Sequence, residues 1–120
     1  MAMHESGEMY LETILVLQKK NGVVRSVDIA NELGYTKASI SRAISILKKA
    51  EYVKTGERGN ILLTEKGLKK AEYVINRHKV IAEFLVKTLG IDDTLADNDA
   101  CKIEHVISDE VFTKMKSFIE

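Results

Sequence analysis

The chain has no proline, a single cysteine and no long apolar run. The last two of these features exclude an internal disulfide and a membrane-spanning helix. One cysteine cannot form an internal disulfide, which suits a reducing compartment where the thiol is available as a ligand. No apolar stretch approaches membrane-spanning length, and the N-terminus lacks the apolar segment of a signal peptide. We therefore expect a cytoplasmic protein with no membrane partner, whose 120 residues form one compact core or two small lobes.

The net charge is zero, but charges of the two signs are unevenly distributed along the chain. Residues 1–91 carry fifteen Lys/Arg and ten Asp/Glu, whereas residues 92–120 carry three and eight. A basic segment can contact phosphates, and an acidic segment can contact cations. The distribution therefore favours nucleic acid as a partner of the first part and metal ions as a partner of the second.

Apolar periodicity and turn residues predict a mostly α fold. The predicted elements are helices at 9–17, 27–33 and 37–50, short strands at 52–54 and 61–63, and a helix from 64 to 89. A short connection or helix begins at Asp92, and two further helices begin near Asp97 and Ser108. Three helices, a hairpin and further helices follow the order of a winged helix-turn-helix domain with an all-helical domain after it. We expect the domains to be residues 1–71 and 72–120.

Residues 27–47 have the spacing of a DNA-binding helix pair. Ala30 is small enough to let two helices approach, Gly34 turns the chain, and Ile40 can pack back into the angle. On the second helix, Arg42 suits a guanine edge in the major groove, and the hydroxyls and lysines suit phosphates. An amphipathic helix with a solvated polar face would have the same composition. The predicted DNA-binding residues are Thr36, Lys37, Ala38, Ser39, Ser41, Arg42 and Lys49, with Arg58 at the hairpin tip.

A second group of residues suits a transition metal. Cys101, Glu104 and His105 stand at i, i+3 and i+4, so a helix would place a thiol, a carboxylate and an imidazole on one face. One helix face rarely completes a coordination shell, and Met9 and Glu12 offer a thioether and a carboxylate, again three residues apart. Each residue taken alone is explained as a core or surface side chain. The prediction of a metal site therefore depends on their joint arrangement.

Five short segments of the chain match a known pattern, and they are Glu8–Glu12, Arg77–His78, Asp99–Cys101, Ile103–His105 and Ser108–Val111. With the helix-turn-helix, they resemble the diphtheria-toxin-repressor and manganese-transport-regulator family over nearly the whole chain. The resemblance implies a winged helix domain, a helical metal-binding and dimerisation domain, and a divalent metal as co-repressor. It further implies a homodimer that binds a palindromic operator in double-stranded DNA.

Two branches of that family use different ligands, and the resemblance implies residue roles accordingly. The ligands of the iron-responsive branch map here onto Met9, Cys101, Glu104 and His105. The manganese branch has Asp at the position of Met9 and Glu at that of Cys101, but it also uses residues that match Glu12 and His78. The resemblance thus implies Fe(II) first and Mn(II) second, with a second metal held by His78, Glu12 and a shared Glu104.

The ancillary site of the iron branch is incomplete in this chain. That branch has a Glu four residues after its His, whereas here Ala82 follows His78 at that distance and Glu83 comes one residue later. Asp97 stands where the branch has a second His. The resemblance therefore supports the primary metal site better than the ancillary one.

The expected function is that of an iron(II)-responsive repressor that controls metal-uptake genes and is not an enzyme. The alternatives are a manganese(II)-responsive repressor of the same family and a metal-independent winged-helix regulator. A small metalloenzyme is disfavoured, because it would need an open coordination position and a general base in a pocket. The sequence offers no candidate base beyond the ligands themselves.

Overall fold

The computed structural model describes residues 5–120, which fall into an N-terminal unit that ends at Glu72 and a C-terminal unit that begins at Tyr73. The elements of the described residues are α1 (Glu5–Asn21), α2 (Ser26–Leu33), α3 (Lys37–Lys49), β1 (Val53–Thr55), β2 (Ile61–Leu63), α4 (Glu65–Leu89), α5 (Asp93–Ile103) and α6 (Asp109–Ile119). This order confirms the predicted mostly α fold. Residues 1–4 of the predicted DNA-binding domain lie outside the described residues. Among residues 5–120, no helix has the length and apolar character needed to cross a bilayer.

The angle between α2 and α3 is built as the sequence predicts. Gly34 has a left-handed φ of 70°, and its N–H donates to the carbonyl of Ala30 at 2.8 Å. The next helix is capped by Thr36, whose hydroxyl accepts from the N–H of Ser39 at 3.2 Å. Ile40 is completely buried, and burial of such a side chain contributes about 1.5–3 kcal/mol. A glycine turn, a helix cap and one apolar side chain therefore fix the direction of α3.

The hairpin of β1 and β2 is the predicted wing. The two strands pair antiparallel, with Thr55 opposite Ile61. The N–H of Ile61 donates to the carbonyl of Val24 at 2.7 Å, and the Arg25 guanidinium donates to the carbonyl of Arg58 at 2.8 Å. Both the first residue of β2 and the turn of the hairpin are therefore bonded to the segment that precedes α2.

Thr64 joins the end of α3 to the start of α4 within the N-terminal unit. Its hydroxyl donates to the carbonyl of Glu51 at 2.6 Å and accepts from the N–H of Gly67 at 3.1 Å. Its own N–H donates to the carbonyl of Tyr52 at 3.1 Å. A Cβ at residue 67 would overlap that same Tyr52 carbonyl, so only glycine permits this close approach.

The C-terminal unit has its own core, which includes the buried residues Ile81 and Leu85 of α4 and Ala96 and Ala100 of α5. Phe84 and other half-buried side chains of α4, α5 and α6 pack against this cluster. Small residues on α5 bring its backbone close to α4. The cluster therefore sets the distance between the two helices that carry the candidate metal ligands.

The helix that carries Cys101 begins earlier than its predicted start at Asp97. Asp92 is its N-cap and accepts from the N–H of Leu95 at 2.7 Å, so α5 begins at Asp93. The predicted start at Asp97 was wrong because both aspartate clusters have the chemistry of an N-cap, and the helix that the sequence left open at Asp92 is the one that forms. Ala96 is completely buried in the core of the C-terminal unit, which favours a helix that already includes residue 96.

Candidate metal centre

Three side chains of the C-terminal unit bring metal-ligating atoms together. His78 on α4, Cys101 on α5 and Glu104 just after α5 offer an imidazole nitrogen, a sulfur and a carboxylate oxygen within 4.8 Å of one another. Imidazole, thiolate and carboxylate are the side-chain groups that proteins use for divalent transition metals. The donor set therefore fits such an ion.

The end of α5 directs Cys101 and Glu104 to the same side. Glu104 is the C-cap, yet it keeps helical angles (φ −57°, ψ −26°), and its N–H donates to the carbonyl of Ala100 at 2.9 Å. The predicted i, i+3 relation therefore holds for these two residues. His105 instead lies in the turn between α5 and α6, because the chain must reverse before Ser108 caps the next helix. The helix on which the sequence argument placed all three residues therefore ends before His105.

The carboxylate of Glu104 lies between two imidazoles and is almost completely buried, with 1% of the residue exposed. His78 Nδ1 is 2.8 Å from Glu104 Oε2, and His105 Nε2 is 3.2 Å from Glu104 Oε1. A buried carboxylate is costly unless a cation or hydrogen bonds compensate it. The burial of Glu104 therefore has to be compensated by its neighbours, and the two histidines or a metal ion can do so.

His78 contacts a second carboxylate with its other nitrogen. Its Nε2 lies 2.5 Å from Asp97 Oδ1. The pKa of His78 is raised from 6.5 to about 9, chiefly by Glu104 and further by Asp97, against the opposing effect of burial. Histidine ligands commonly have a carboxylate on the nitrogen remote from the metal. Sequence reasoning missed this contact, although Asp97 stands one turn before Cys101 on α5.

Met9 and Glu12 belong to α1 of the N-terminal unit. Both are half-buried, and their three-residue spacing places them on one side of the helix. The hydroxyl of Thr13 donates to the Met9 carbonyl at 2.8 Å, an ordinary bond within a helix. A role for Met9 and Glu12 as ligands remains a prediction from the resemblance.

The predicted DNA-binding residues lie on α3, at its N-cap and in the turn of the hairpin. Thr36 and Ser39 are engaged with each other, since the Thr36 hydroxyl also donates to Ser39 Oγ at 3.0 Å, and they therefore help to start α3. Arg58 is exposed between the two strands. Of the predicted DNA-binding residues that lie within α3, those exposed to solvent are Lys37, Ala38, Ser41, Arg42 and Lys49. This face offers cations and a hydroxyl to a polyanion.

Comparison with known proteins decides the family. Residues 2–60 match the profile described as "Iron dependent repressor, N-terminal DNA binding domain", and residues 64–120 match "Iron dependent repressor, metal binding and dimerisation domain". An uncharacterised HTH-type transcriptional regulator of Methanocaldococcus jannaschii is 35% identical over 119 residues, which are 98% of this chain and 95% of that protein. The chain belongs to the diphtheria-toxin-repressor and manganese-transport-regulator family.

Other members of this repressor family agree with the assignment. The HTH-type transcriptional regulator MntR of Shouchella clausii is 31% identical over 115 residues, which are 96% of this chain and 80% of that protein. A solved manganese-dependent transcriptional repressor in complex with manganese superposes with a TM-score of 0.86 at 24% identity, covering 94% of this chain. At that identity the likeness shows the fold, and the chain spans about half (52%) of that structure. The matched relatives are transcriptional regulators, so this member of the family is a regulator and not an enzyme.

Proposed function

We propose that this protein is an iron(II)-responsive repressor of metal-uptake genes that binds a palindromic operator as a homodimer. The observation that carries the proposal is the convergence of His78, Cys101 and Glu104 in a chain whose N-terminal unit is a winged helix-turn-helix. A metal site and a DNA-binding fold in one small chain suit a regulator whose DNA affinity depends on a metal. Such a regulator acts where the chromosome is, which is the cytoplasm expected from the sequence.

The ligand chemistry supports iron(II) as the metal. Cys101 offers a soft thiolate, and iron(II) lies above manganese(II) in the general affinity order of divalent metals. His105, next to Glu104, completes the set of candidate ligands in the C-terminal unit, and the resemblance adds Met9 and Glu12. When bound, the ion supplies positive charge beside the buried carboxylate and joins side chains that are distant in sequence.

Manganese(II) is the second candidate, and a different observation favours it. His78 lies beside Glu104, and the resemblance assigns residues at both the His78 and Glu12 positions to the manganese branch. The solved repressor that superposes with a TM-score of 0.86 is manganese-dependent. Cys101 is the main argument against manganese, because that ion prefers oxygen ligands.

The residues on α3 and the wing would contact the operator. Arg42 suits a guanine edge, Lys49 suits a phosphate, and Arg58 suits the backbone or minor groove beside the hairpin. A dimer carries two α3 helices, so the operator half-sites should be about 10–10.5 base pairs apart, or a multiple of that spacing. Metal and operator then favour each other reciprocally, typically by about 1–3 kcal/mol.

The test is operator binding measured with a panel of metals. Duplexes selected from a random pool by the metal-loaded protein provide the operator, and fluorescence anisotropy then measures its affinity with Fe(II) under anaerobic conditions, Mn(II), Zn(II) or a chelator. We expect binding that requires a divalent metal and responds at the lowest free concentration to Fe(II). Equal affinity in the chelator would favour the metal-independent winged-helix regulator. A lower threshold for Mn(II) would favour the manganese repressor.

A further inference from the structure

Arg77, one residue before His78 on α4, is charged yet only 6% exposed. Its Nη1 donates to the hydroxyl of Tyr73 at 2.8 Å and to Asp109 Oδ1 at 2.9 Å. Its Nη2 donates to the carbonyl of Ile107 at 2.5 Å. The hydroxyl of Tyr73 donates to the same oxygen of Asp109 at 2.9 Å. One guanidinium therefore joins α4 to the turn after α5 and to the first residue of α6.

Packing alone does not explain an arginine at this position. The Arg77 guanidinium carbon lies 5.1 Å from the ring centroid of Phe112, an environment that an apolar side chain of similar length could also fill. Exchange of a buried ion pair for apolar residues is often neutral or stabilising. What arginine adds is a planar fork of donors with fixed directions. Its contribution at this place is therefore geometric.

The turn that Arg77 holds is the one that presents Glu104. Ile107 follows Glu104 by three residues, and its N–H donates to the Ile103 carbonyl at 3.0 Å, which ties it back to the end of α5. Because Arg77 fixes the Ile107 carbonyl and is adjacent to His78, it sets the separation between α4 and this turn. That separation determines how closely His78 Nδ1 approaches Glu104 Oε2, which is 2.8 Å here.

We propose that Arg77 is a positioning residue of the metal centre, which sets metal affinity by holding the Glu104 turn against the helix that carries His78. The inference rests on the proposed metal-binding function, and Arg77 itself need not touch the ion. Removal of groups that orient ligands typically weakens metal binding by about 10–100-fold. A weaker hold on the turn should also change the geometry of coordination, which can be measured independently of DNA binding.

The experiment compares Arg77→Met with Lys79→Met in the full chain. Arg77→Met keeps the apolar length and removes the donors, whereas Lys79→Met removes the exposed positive charge on the other side of His78. Cobalt(II) affinity and the visible absorption of the bound ion are measured, together with thermal unfolding without metal. We expect Arg77→Met to bind cobalt(II) about 10–100-fold more weakly with an altered spectrum. Lys79→Met should bind it as the wild type does.

A second pair of variants tests the same contact from the surface. The side chain of Asp109 is 85% exposed, so Asp109→Ala should fold even if Arg77→Met does not, and Glu110→Ala removes another acid from the first turn of α6. We expect cobalt(II) to bind more weakly to Asp109→Ala than to Glu110→Ala. Wild-type affinity and spectrum in Asp109→Ala and in folded Arg77→Met, with only a lower unfolding temperature, would overturn the inference. Failure of the wild type to bind cobalt(II), iron(II) or manganese(II) would instead contradict the proposed function.

Discussion

His78 on α4 and Asp97 on α5 meet through Nε2 and Oδ1 at 2.5 Å. The other nitrogen of the same ring lies 2.8 Å from the buried Glu104 carboxylate. The imidazole is therefore held between two acids, and its orientation is set before any metal arrives. A ligand that is already oriented loses little rotational freedom on binding, which favours a tighter site.

Asp97→Ala should weaken metal binding by about 10–100-fold, because His78 would lose the group that orients it. Asp99→Ala is the matched control, since it removes the same charge from α5 at a position that the helical period places on another face. Calorimetric titration with manganese(II) measures both affinities. Equal losses of manganese(II) affinity in the two variants would show that the affinity depends on the negative charge of α5 and not on the contact between Asp97 and His78.

Metal affinity should increase with pH up to about 9. The pKa of His78 is raised to about 9, first by Glu104 and then by Asp97, so the ring is protonated in the metal-free protein at neutral pH. The protonated ring stabilises the metal-free fold fully below about pH 6.5, and this contribution is lost as the pH rises through about 9. A metal ligated by His78 must displace the proton.

The released proton can be counted by calorimetry in two buffers that differ in ionisation enthalpy. We expect manganese(II) binding near neutral pH to release a proton from the wild type, and His78→Gln to release fewer protons and to bind more weakly. Equal release by both proteins would show that His78 does not exchange a proton for the ion.

Cys101→Ala and Glu104→Gln should each leave a folded protein whose DNA affinity no longer increases when metal is added. Cys101 is exposed, so loss of its thiol removes a ligand with little effect on packing. Glu104→Gln keeps the volume of the buried side chain and removes its charge. Lys102→Ala, which changes an exposed residue between them, is the control. If both ligand variants keep the metal stoichiometry and the metal-stimulated DNA binding of the wild type, Cys101 and Glu104 are not metal ligands.

Arg42 and Lys49 should have separable effects on DNA binding. Arg42→Ala should lose about 1–3 kcal/mol on the preferred site and little on random DNA, because a base contact carries sequence information. Lys49→Ala should weaken both alike and lower the salt slope by about one, because a phosphate contact does not read sequence. Fluorescence anisotropy over a range of salt concentrations measures both effects. The assignment fails if Arg42→Ala weakens the two kinds of DNA equally.

Met9→Asp should increase the response to manganese(II) relative to iron(II), because it would replace a soft thioether by a hard anionic oxygen. Operator binding at controlled free metal, under anaerobic conditions, gives the two thresholds. Val16→Asp, at an exposed position of the same helix α1, is a control for an added carboxylate away from the proposed ligands. If both variants change the manganese(II) and iron(II) thresholds equally, Met9 does not determine which metal the protein prefers.

The N-terminal unit was predictable because its signals are local. Gly34, Thr36 and Ile40 act on residues within a few positions of themselves, so the sequence shows both the cause and its effect. The start of α5 was not predictable from such signals. Asp92 and Asp97 are equivalent as caps, and the burial of Ala96 against α4, a contact with a distant segment, decides between them.

Cys101 and Glu104 could be named from spacing and His78 from the resemblance, but the surroundings of these candidate ligands could not be predicted. The contact of His78 with Asp97 spans 19 residues, and that of Arg77 with Asp109 spans 32. No periodic pattern relates residues so far apart, because their distance depends on how three helices pack. Sequence spacing therefore finds groups that one helix carries, and it misses the residues of other helices that orient them.

The bonds of Thr64 bear on how this unit can change during evolution. They connect the segment after α3 to the start of α4 and end on the backbone carbonyls of Glu51 and Tyr52, which are the same whatever side chains stand at those two positions. Apolar residues of the core can therefore be exchanged for others of similar volume without turning α3 relative to this junction. The preference for a DNA sequence can then change through substitutions of the exposed side chains of α3. The apolar core of the N-terminal unit can accumulate substitutions independently of them.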